Sequence, residues 1–259
     1  MGTLAGHHVL VTGGGTGIGA AIARCLSGQG AKLSIAGRRL APLQALANEL
    51  PNTTAIAADI TSAADCNAMA AAAHAAHGPI DILIANAGAA ESAPFAKTSL
   101  AQWQRMLDVN LTGAFLSAQA VIGDITRVDN APKKTQRRIV FVASVAGLKG
   151  FGYVAPYVAA KHGVVGLARA LAAEYARQPI TVNAVCPGFV DTPLLDASLQ
   201  TIIGKTGRDR EQALADLTRG NPQGRVIMPD EVAETVLWLC SPGAASITGQ
   251  AIAIAGGEV

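Results

Sequence analysis

Seven short apolar runs alternate with helix-patterned stretches along this chain, and that alternation constrains the fold more than any other feature. HHVLVTG (7–13), KLSIAG (32–37), TAIAADI (54–60), IDILIANAG (80–88), RIVFVAS (138–144), TVNAVCPG (181–188) and AIAIAG (251–256) read as strands. Helical patterns follow the first glycines to about Gln29 and then occupy 40–50, 62–77, 100–121, 154–177 and 230–240. Strands alternating with helices predict an α/β fold, a doubly wound parallel sheet covered on both faces. Near-continuous Val/Ile/Leu/Ala strands fit burial on both faces better than half-exposed strands do. No Pro/Gly/Ser linker separates two units, so residues 1–259 read as one domain. Two stretches depart from compactness. Asp124–Arg138 is polar and basic, and Val190–Arg225 has the place of a lid over a site.

Composition removes several function classes. Lys and Arg exceed Asp and Glu by only two, far from the clustered excess of a nucleic-acid surface. Half the residues are hydrophobic and 15% are charged, which excludes a mainly disordered chain. No apolar run approaches the ~20 residues of a membrane span, and neither a secretory leader nor a myristoylation site is expected at the start. Cys25, Cys66, Cys186 and Cys240 are spaced as neither a disulfide framework nor a zinc motif. They predict a reducing, cytoplasmic setting, with Cys25 and Cys186 as small core residues. The five histidines predict no metal site. KKTQRR (133–138) reads as a solvated loop more readily than as an anion site.

TGGGTGIG (12–19) falls between the first strand and its helix. Glycines there permit a tight turn and close backbone approach, while the helix N-terminus favours a pyrophosphate. The spacing Gly13-x-x-x-Gly17-x-Gly19 lacks the lysine of a P-loop, which leaves dinucleotide binding or a purely structural turn.

Further motifs stand in a fixed order after this turn: Asp59, NAG (86–88), Asn110 within DVNLTG, Ser144, YVAAK (157–161) and PGFVDTP (187–193). Together they resemble the short-chain dehydrogenases/reductases over nearly the whole chain. The resemblance implies a Rossmann-like domain, a nicotinamide cofactor and a homotetramer. It places Gly13, Thr16, Gly17, Ile18 and Gly19 beside the cofactor phosphates and ribose, and Asp59 and Ile60 near adenine. Asn86, Ala87 and Gly88 would follow the dinucleotide cleft, with Pro187, Gly188, Val190 and Thr192 near the nicotinamide. Asp59 alone would cap the next helix, and Pro187-Gly188 alone would be a sharp turn.

Cofactor choice turns on the end of the second strand, where an acidic residue receives the ribose hydroxyls of NAD. The resemblance puts that acid where Gly37 stands here, and Arg38 and Arg39 follow it. A guanidinium suits a 2'-phosphate through charge-assisted hydrogen bonds. NADP(H) is therefore favoured, with NAD(H) the alternative and two solvated arginines the plain reading.

Tyr157 and Lys161 are four residues apart and share one helix face. A neighbouring ammonium favours the phenolate. Ser144 ends the fifth strand, where open parallel sheets form their crevice. The family mechanism has Tyr157 exchange a proton with the substrate oxygen, Ser144 orient that oxygen, Lys161 hold the ribose, and Asn110 support a water chain. His162 is expected to point away from this face.

Leu148, Phe151, Tyr153, Phe189, Leu194 and Leu195, with Ser144, are the candidate substrate wall. Lys205, Arg208 and Arg210 offer charge to a coenzyme A or acyl-carrier phosphate, or form a solvated helix edge. The segments from CPGFVDTPLL onward look most like bacterial 3-oxoacyl-thioester and polyketide ketoreductases. The expected reaction is NADPH-dependent reduction of a 3-oxoacyl thioester to its 3-hydroxy product. NAD-dependent oxidation of a 3-hydroxyacyl-CoA or secondary alcohol, and a noncatalytic NAD(P) sensor, are the alternatives. Tetramer contacts are expected from 100–121, 154–177 and 230–259.

Overall fold

Long apolar strands bury best inside a parallel sheet, and the computed structural model, which describes residues 2–127 and 137–259, forms one. Among the described residues the strands are β1 (His8–Thr12), β2 (Lys32–Gly37), β3 (Thr53–Ala57), β4 (Ile82–Ala85), β5 (Arg137–Val142), β6 (Ile180–Pro187) and β7 (Ala251–Ile254). All pairs are parallel, in the order β3-β2-β1-β4-β5-β6-β7. The order reverses between β1 and β4, opening a crevice at their carboxyl ends.

The helices are α1 (Gly17–Gly28), α2 (Leu40–Glu49), α3 (Ala63–His77), α4 (Leu100–Leu107), α5 (Gly113–Thr126), α6 (Ala155–Glu174), α7 (Pro193–Thr206), α8 (Arg210–Thr218) and α9 (Pro229–Cys240). Alternate strand residues point to opposite faces. Val9 and Val11 pack with Ile22, Leu43 and Val236 of α1, α2 and α9. Leu10 packs with Met69, Val121 and Val164 of α3, α5 and α6. The sheet is thus doubly wound.

Four sequence expectations change. The stretch 100–121 is not one regular helix: a π-helical turn, Asp108–Thr112, joins α4 to α5. The whole helix Leu100–Thr126 is also long and apolar enough in composition to cross a membrane. It instead lays Ala114, Ala118, Val121 and Ile125 on the sheet. The 190–225 region, read as a lid without defined elements, carries α7 and α8, which enclose a small cluster of Leu195, Leu199 and Ala213. Lastly, Arg137 and Arg138 are buried rather than solvated. Arg138 Nε donates to the Leu239 carbonyl at 3.0 Å and a terminal nitrogen donates to that of Ser241 at 3.1 Å, satisfying the end of α9. The rest of the basic run, 133–136, lies outside the described residues.

Candidate active site

The glycine turn is shaped by what crosses it. Gly13 and Gly17 adopt φ of 66° and 53°, left-handed values that favour glycine. A Cβ on Gly13 would lie 2.8 Å from Asn86 Nδ2, and one on Gly19 only 2.2 Å from the Gly13 carbonyl. Asn86 locks the turn, donating from Nδ2 to the carbonyls of Thr12 and Gly13 at 3.0 and 3.2 Å. Its role here is to brace the backbone, and β4 ends at Ala85 because residue 86 turns to that task. The side chain of Thr16 does not cap α1, and the first turn holds no acid, so the helix N-terminus keeps its donors for an anion.

A cavity of about 570 Å³ runs from this turn across the carboxyl ends of the strands. Gly13, Thr16, Gly17, Ile18, Arg38, Arg39, Asp59, Ile60, Asn86, Ala87, Gly88, Asn110, Tyr157, Lys161 and Thr192 line it. Gly19 lies beneath the turn instead, in the close strand–helix packing. Arg38 and Arg39 are exposed. Asp59 does not cap α3; Ser62 does, accepting from Asp65 N. Asp59 Oδ1 accepts from the amide and hydroxyl of Thr61 at 3.0 and 2.8 Å. These bonds, with the nearby Arg38 charge, hold the carboxyl below its usual range.

The π turn aims Asn110 inward, where it is buried. Its Nδ2 donates to the carbonyls of Ala89 and Met106 at 2.9 and 3.0 Å, and its Oδ1 accepts from Ala89 N at 3.2 Å. Gly88 lies between Asn110 and Lys161. A Cβ there would be 2.8 Å from Asn110 Oδ1 and 3.6 Å from Lys161 Nζ.

Lys161 is 4% exposed, and its ammonium donates to the Val142 carbonyl at 2.9 Å. Burial lowers its pKa to about 8, opposed by the nearby Cys186. Burial also pushes the Tyr157 phenol up, while its hydrogen bond with Ser144 pulls it down. Ser144 Oγ accepts from Ala146 N at 3.1 Å, fixing the turn after β5. His162 is exposed and engages the Val158 carbonyl at 2.9 Å through Nδ1.

A second cavity, about 1010 Å³, meets the first at Tyr157. Ser144, Phe151, Tyr153, Phe189, Leu194 and Leu195 line it, as do Pro187, Gly188 and Val190, which border this cavity and not the first. Phe151 and Phe189 pack edge to face, 6.4 Å between centroids. Tyr153 holds a φ of 66°, a strained value for a non-glycine residue. Leu148 is not in this wall; it packs against the core beside α6, because the short 3-10 turn Val145–Gly147 directs it inward. Sequence reasoning missed the 91–94 edge and Thr201 and Ile202 of α7, whose only signal is proximity in the fold.

The lid charges are largely spent within the lid. Arg208 pairs with Asp216, and Arg210 with Asp196 at 2.7 Å, leaving Lys205 on the cavity wall without an ion pair among the described residues. Cys66, Cys186 and Cys240 are buried free thiols; Cys25 is half-buried, its thiol donating to Glu234 at 3.6 Å. Among the described residues no His/Cys/Asp/Glu group could hold a metal ion.

Comparison with known proteins finds a match at every level. A family profile described as short chain dehydrogenase matches residues 7–202. A protein of Streptomyces coelicolor assigned as a ketoacyl reductase is 37% identical over 261 residues, covering 99% of this chain and 98% of its own. A variant of the actinorhodin polyketide ketoreductase, solved with NADPH, superposes with a TM-score of 0.91 at 36% identity, covering 97% of each chain. The 3-ketoacyl-(acyl-carrier-protein) reductase of Brucella melitensis, solved with NADH, gives 0.86 at 32% identity and 98% of each.

Proposed function

The chain belongs to the short-chain dehydrogenase family, and from that membership we propose that it reduces a 3-oxoacyl thioester to the 3-hydroxy product with NADPH. At the coarser level it is a catalytic NAD(P)-dependent oxidoreductase that reduces an oxo group. The observation that carries the finer reading is the meeting of two cavities at Tyr157, one glycine-rich and the more polar, the other more aromatic and aliphatic.

The first cavity suits a dinucleotide. Its glycine turn excludes any Cβ at Gly13 or Gly19, and the free helix N-terminus beside it suits a pyrophosphate. Gly13, Thr16, Gly17 and Ile18 would hold the phosphates, Asp59 and Ile60 the adenine side, and Lys161 and Thr192 the nicotinamide side. A bound nicotinamide nucleotide supplies the hydride to the substrate carbonyl carbon.

The chain's own residues manage the oxygen. Tyr157, kept as a phenol at neutral pH by burial, donates its proton to the developing alkoxide. Ser144, anchored by the Ala146 amide, orients and hydrogen-bonds that oxygen. Lys161 has one N–H committed to Val142 and turns the others, with its charge, toward the cleft. Asn110 holds Ala89 and so the floor beside Gly88. Its direct bonds support a bracing role, and any water relay would run past it.

The apolar wall of Phe151, Phe189, Leu194 and Leu195 fits an acyl chain, and Lys205 fits one phosphate of its carrier. Arg38 favours NADP(H) over NAD(H). NAD-dependent alcohol oxidation draws support from Asp59, whose charge offsets Arg38. Exposed Leu100, Phe115 and Trp238 support a homotetramer, and the free thiols fit a reducing cytoplasm.

The test is steady-state reduction of acetoacetyl-CoA with NADPH and NADH compared at one pH. Faster NADPH consumption with 3-hydroxybutyryl-CoA formed supports the reading. Faster NADH consumption moves it to NAD-dependent acyl-CoA metabolism, and no turnover with either removes this substrate.

A further inference from the structure

Glu258 carries a carboxylate that is only 4% exposed and lines neither cavity. Glycines 256 and 257, with φ of 60° and 92°, turn the chain after β7 back onto the exit of the lid. There the carboxylate fits against two glycines. A Cβ on Gly220 would lie 2.8 Å from Glu258 Oε1, and one on Gly188 3.5 Å from Oε2. A buried carboxylate is costly unless paired. Its partner is Lys149, whose ammonium lies 3.1 Å from Oε1 and donates to the Glu258 backbone carbonyl at 3.1 Å. The same ammonium stands 5.1 Å from the centroid of the Phe151 ring. Phe151 in turn meets Phe189 edge to face on the wall of the second cavity.

We propose that Lys149 and Glu258 form a strut that positions Phe151 and Phe189 and so sets the width of the substrate cavity. The strut ties the turn after β7 to three segments: the loop before α6, the exit of β6 at Gly188, and the exit of α8 at Gly220. Neither residue touches the reacting atoms, so both are positioning residues and their effect falls on substrate affinity. The kinetic arm of the test rests on the thioester reductase reading; the exchange arm does not.

Lys149→Met, Glu258→Gln, the double variant and Lys149→Arg would be compared with the unaltered protein. The KM for acetoacetyl-CoA should rise about tenfold in both single variants while the dissociation constant for NADP+ is unchanged, and Lys149→Arg should restore KM. Lys149→Met should also lower the melting temperature, by stranding the carboxylate. The double variant should regain that stability and keep the raised KM. Hydrogen exchange across 149–153 should quicken in Lys149→Met without any ligand. A double variant that recovers both stability and KM would reduce the pair to a structural role and overturn the proposal. Unchanged exchange across 149–153 would overturn it as well. If the unaltered protein leaves acetoacetyl-CoA untouched, the thioester reading fails and the exchange comparison alone decides the strut.

Discussion

The Lys161 ammonium donates to the Val142 carbonyl at 2.9 Å, while the centroid of the Tyr157 ring lies 5.6 Å from it. The lysine is thus held by the end of β5 and acts on the phenol through space. Burial brings its pKa to about 8, inside the working range of an enzyme, and keeps the Tyr157 phenol protonated there.

The pH profile should report that lysine. Its charge favours the phenolate that remains after proton donation, and the charge is lost as pH rises through about 8. The kcat/KM for reduction, which reports the free enzyme, should fall above that pH with one proton lost. A profile that stays flat from about pH 7 to 10 would remove Lys161 from this role.

Stability should move the other way. Lys161 is lowered from 10.5 to about 8, so between those values the unfolded chain binds more protons and folding stability rises with pH. Keeping the buried ammonium charged at neutral pH costs on the order of 3 kcal/mol. Lys161→Met should therefore be more stable than the parent at pH 7 without nucleotide, and this advantage should shrink as pH climbs toward 10.5. The difference between the two urea curves reports the lysine together with its coupling to Cys186, while the more distant thiols are common to both.

Tyr157→Phe removes the proton donor and leaves the ring. Reduction should slow by roughly a thousandfold while nucleotide affinity stays within a few fold. Ser144→Ala should cost about a hundredfold in kcat. Stopped-flow hydride transfer and nucleotide titration check both, and a Phe variant of near-normal rate would show that the proton comes from elsewhere.

Gly88 makes a sterically sharper case. An alanine methyl would press on Asn110 Oδ1 and crowd Lys161, so the Ala89 hydrogen bonds must shift to admit it. Gly88→Ala should reduce turnover by about tenfold or more. Unchanged kinetics would show that the cleft floor yields without cost.

The fold was legible because burial on both faces writes strands as continuous apolar runs, and all seven were placed within three residues at each end. The strand read over 80–88 shrank to Ile82–Ala85 because Asn86 serves the glycine turn, a tertiary demand. The π turn left no trace: one added residue in a helix changes no composition, yet it is what buries Asn110. Helices α7 and α8 were visible only as a solvated helix edge, one of two readings near Lys205, since the hydrophobic cluster between them, centred on Leu195, Leu199 and Ala213, is small. Arg138 looked like the tail of a loop because its partners, Leu239 and Ser241, lie about a hundred residues away in the chain. The residues proposed to react stood out as a motif; their electrostatics did not, since Val142 and burial set them.

Cofactor choice is the remaining feature open to single substitutions. The exposed Arg38 borders the first cavity and forms no ion pair among the described residues, so its charge is available to a 2'-phosphate. Beside it, a Cβ on Gly37 would meet only Leu43, at 3.8 and 4.0 Å. That is ordinary contact, so packing does not forbid a side chain there, and φ at Gly37 is not left-handed. Gly37→Asp should therefore fold normally and set a carboxylate where the phosphate would sit. It should weaken NADP+ and favour NAD+, shifting the ratio of dissociation constants by about a hundredfold, with Arg38→Asp acting in the same direction. Titration of both nucleotides against the three proteins checks this. A ratio unmoved by either variant would place the discrimination away from the end of β2, and equal tight binding of both nucleotides by the parent would show that Asp59 already neutralises Arg38.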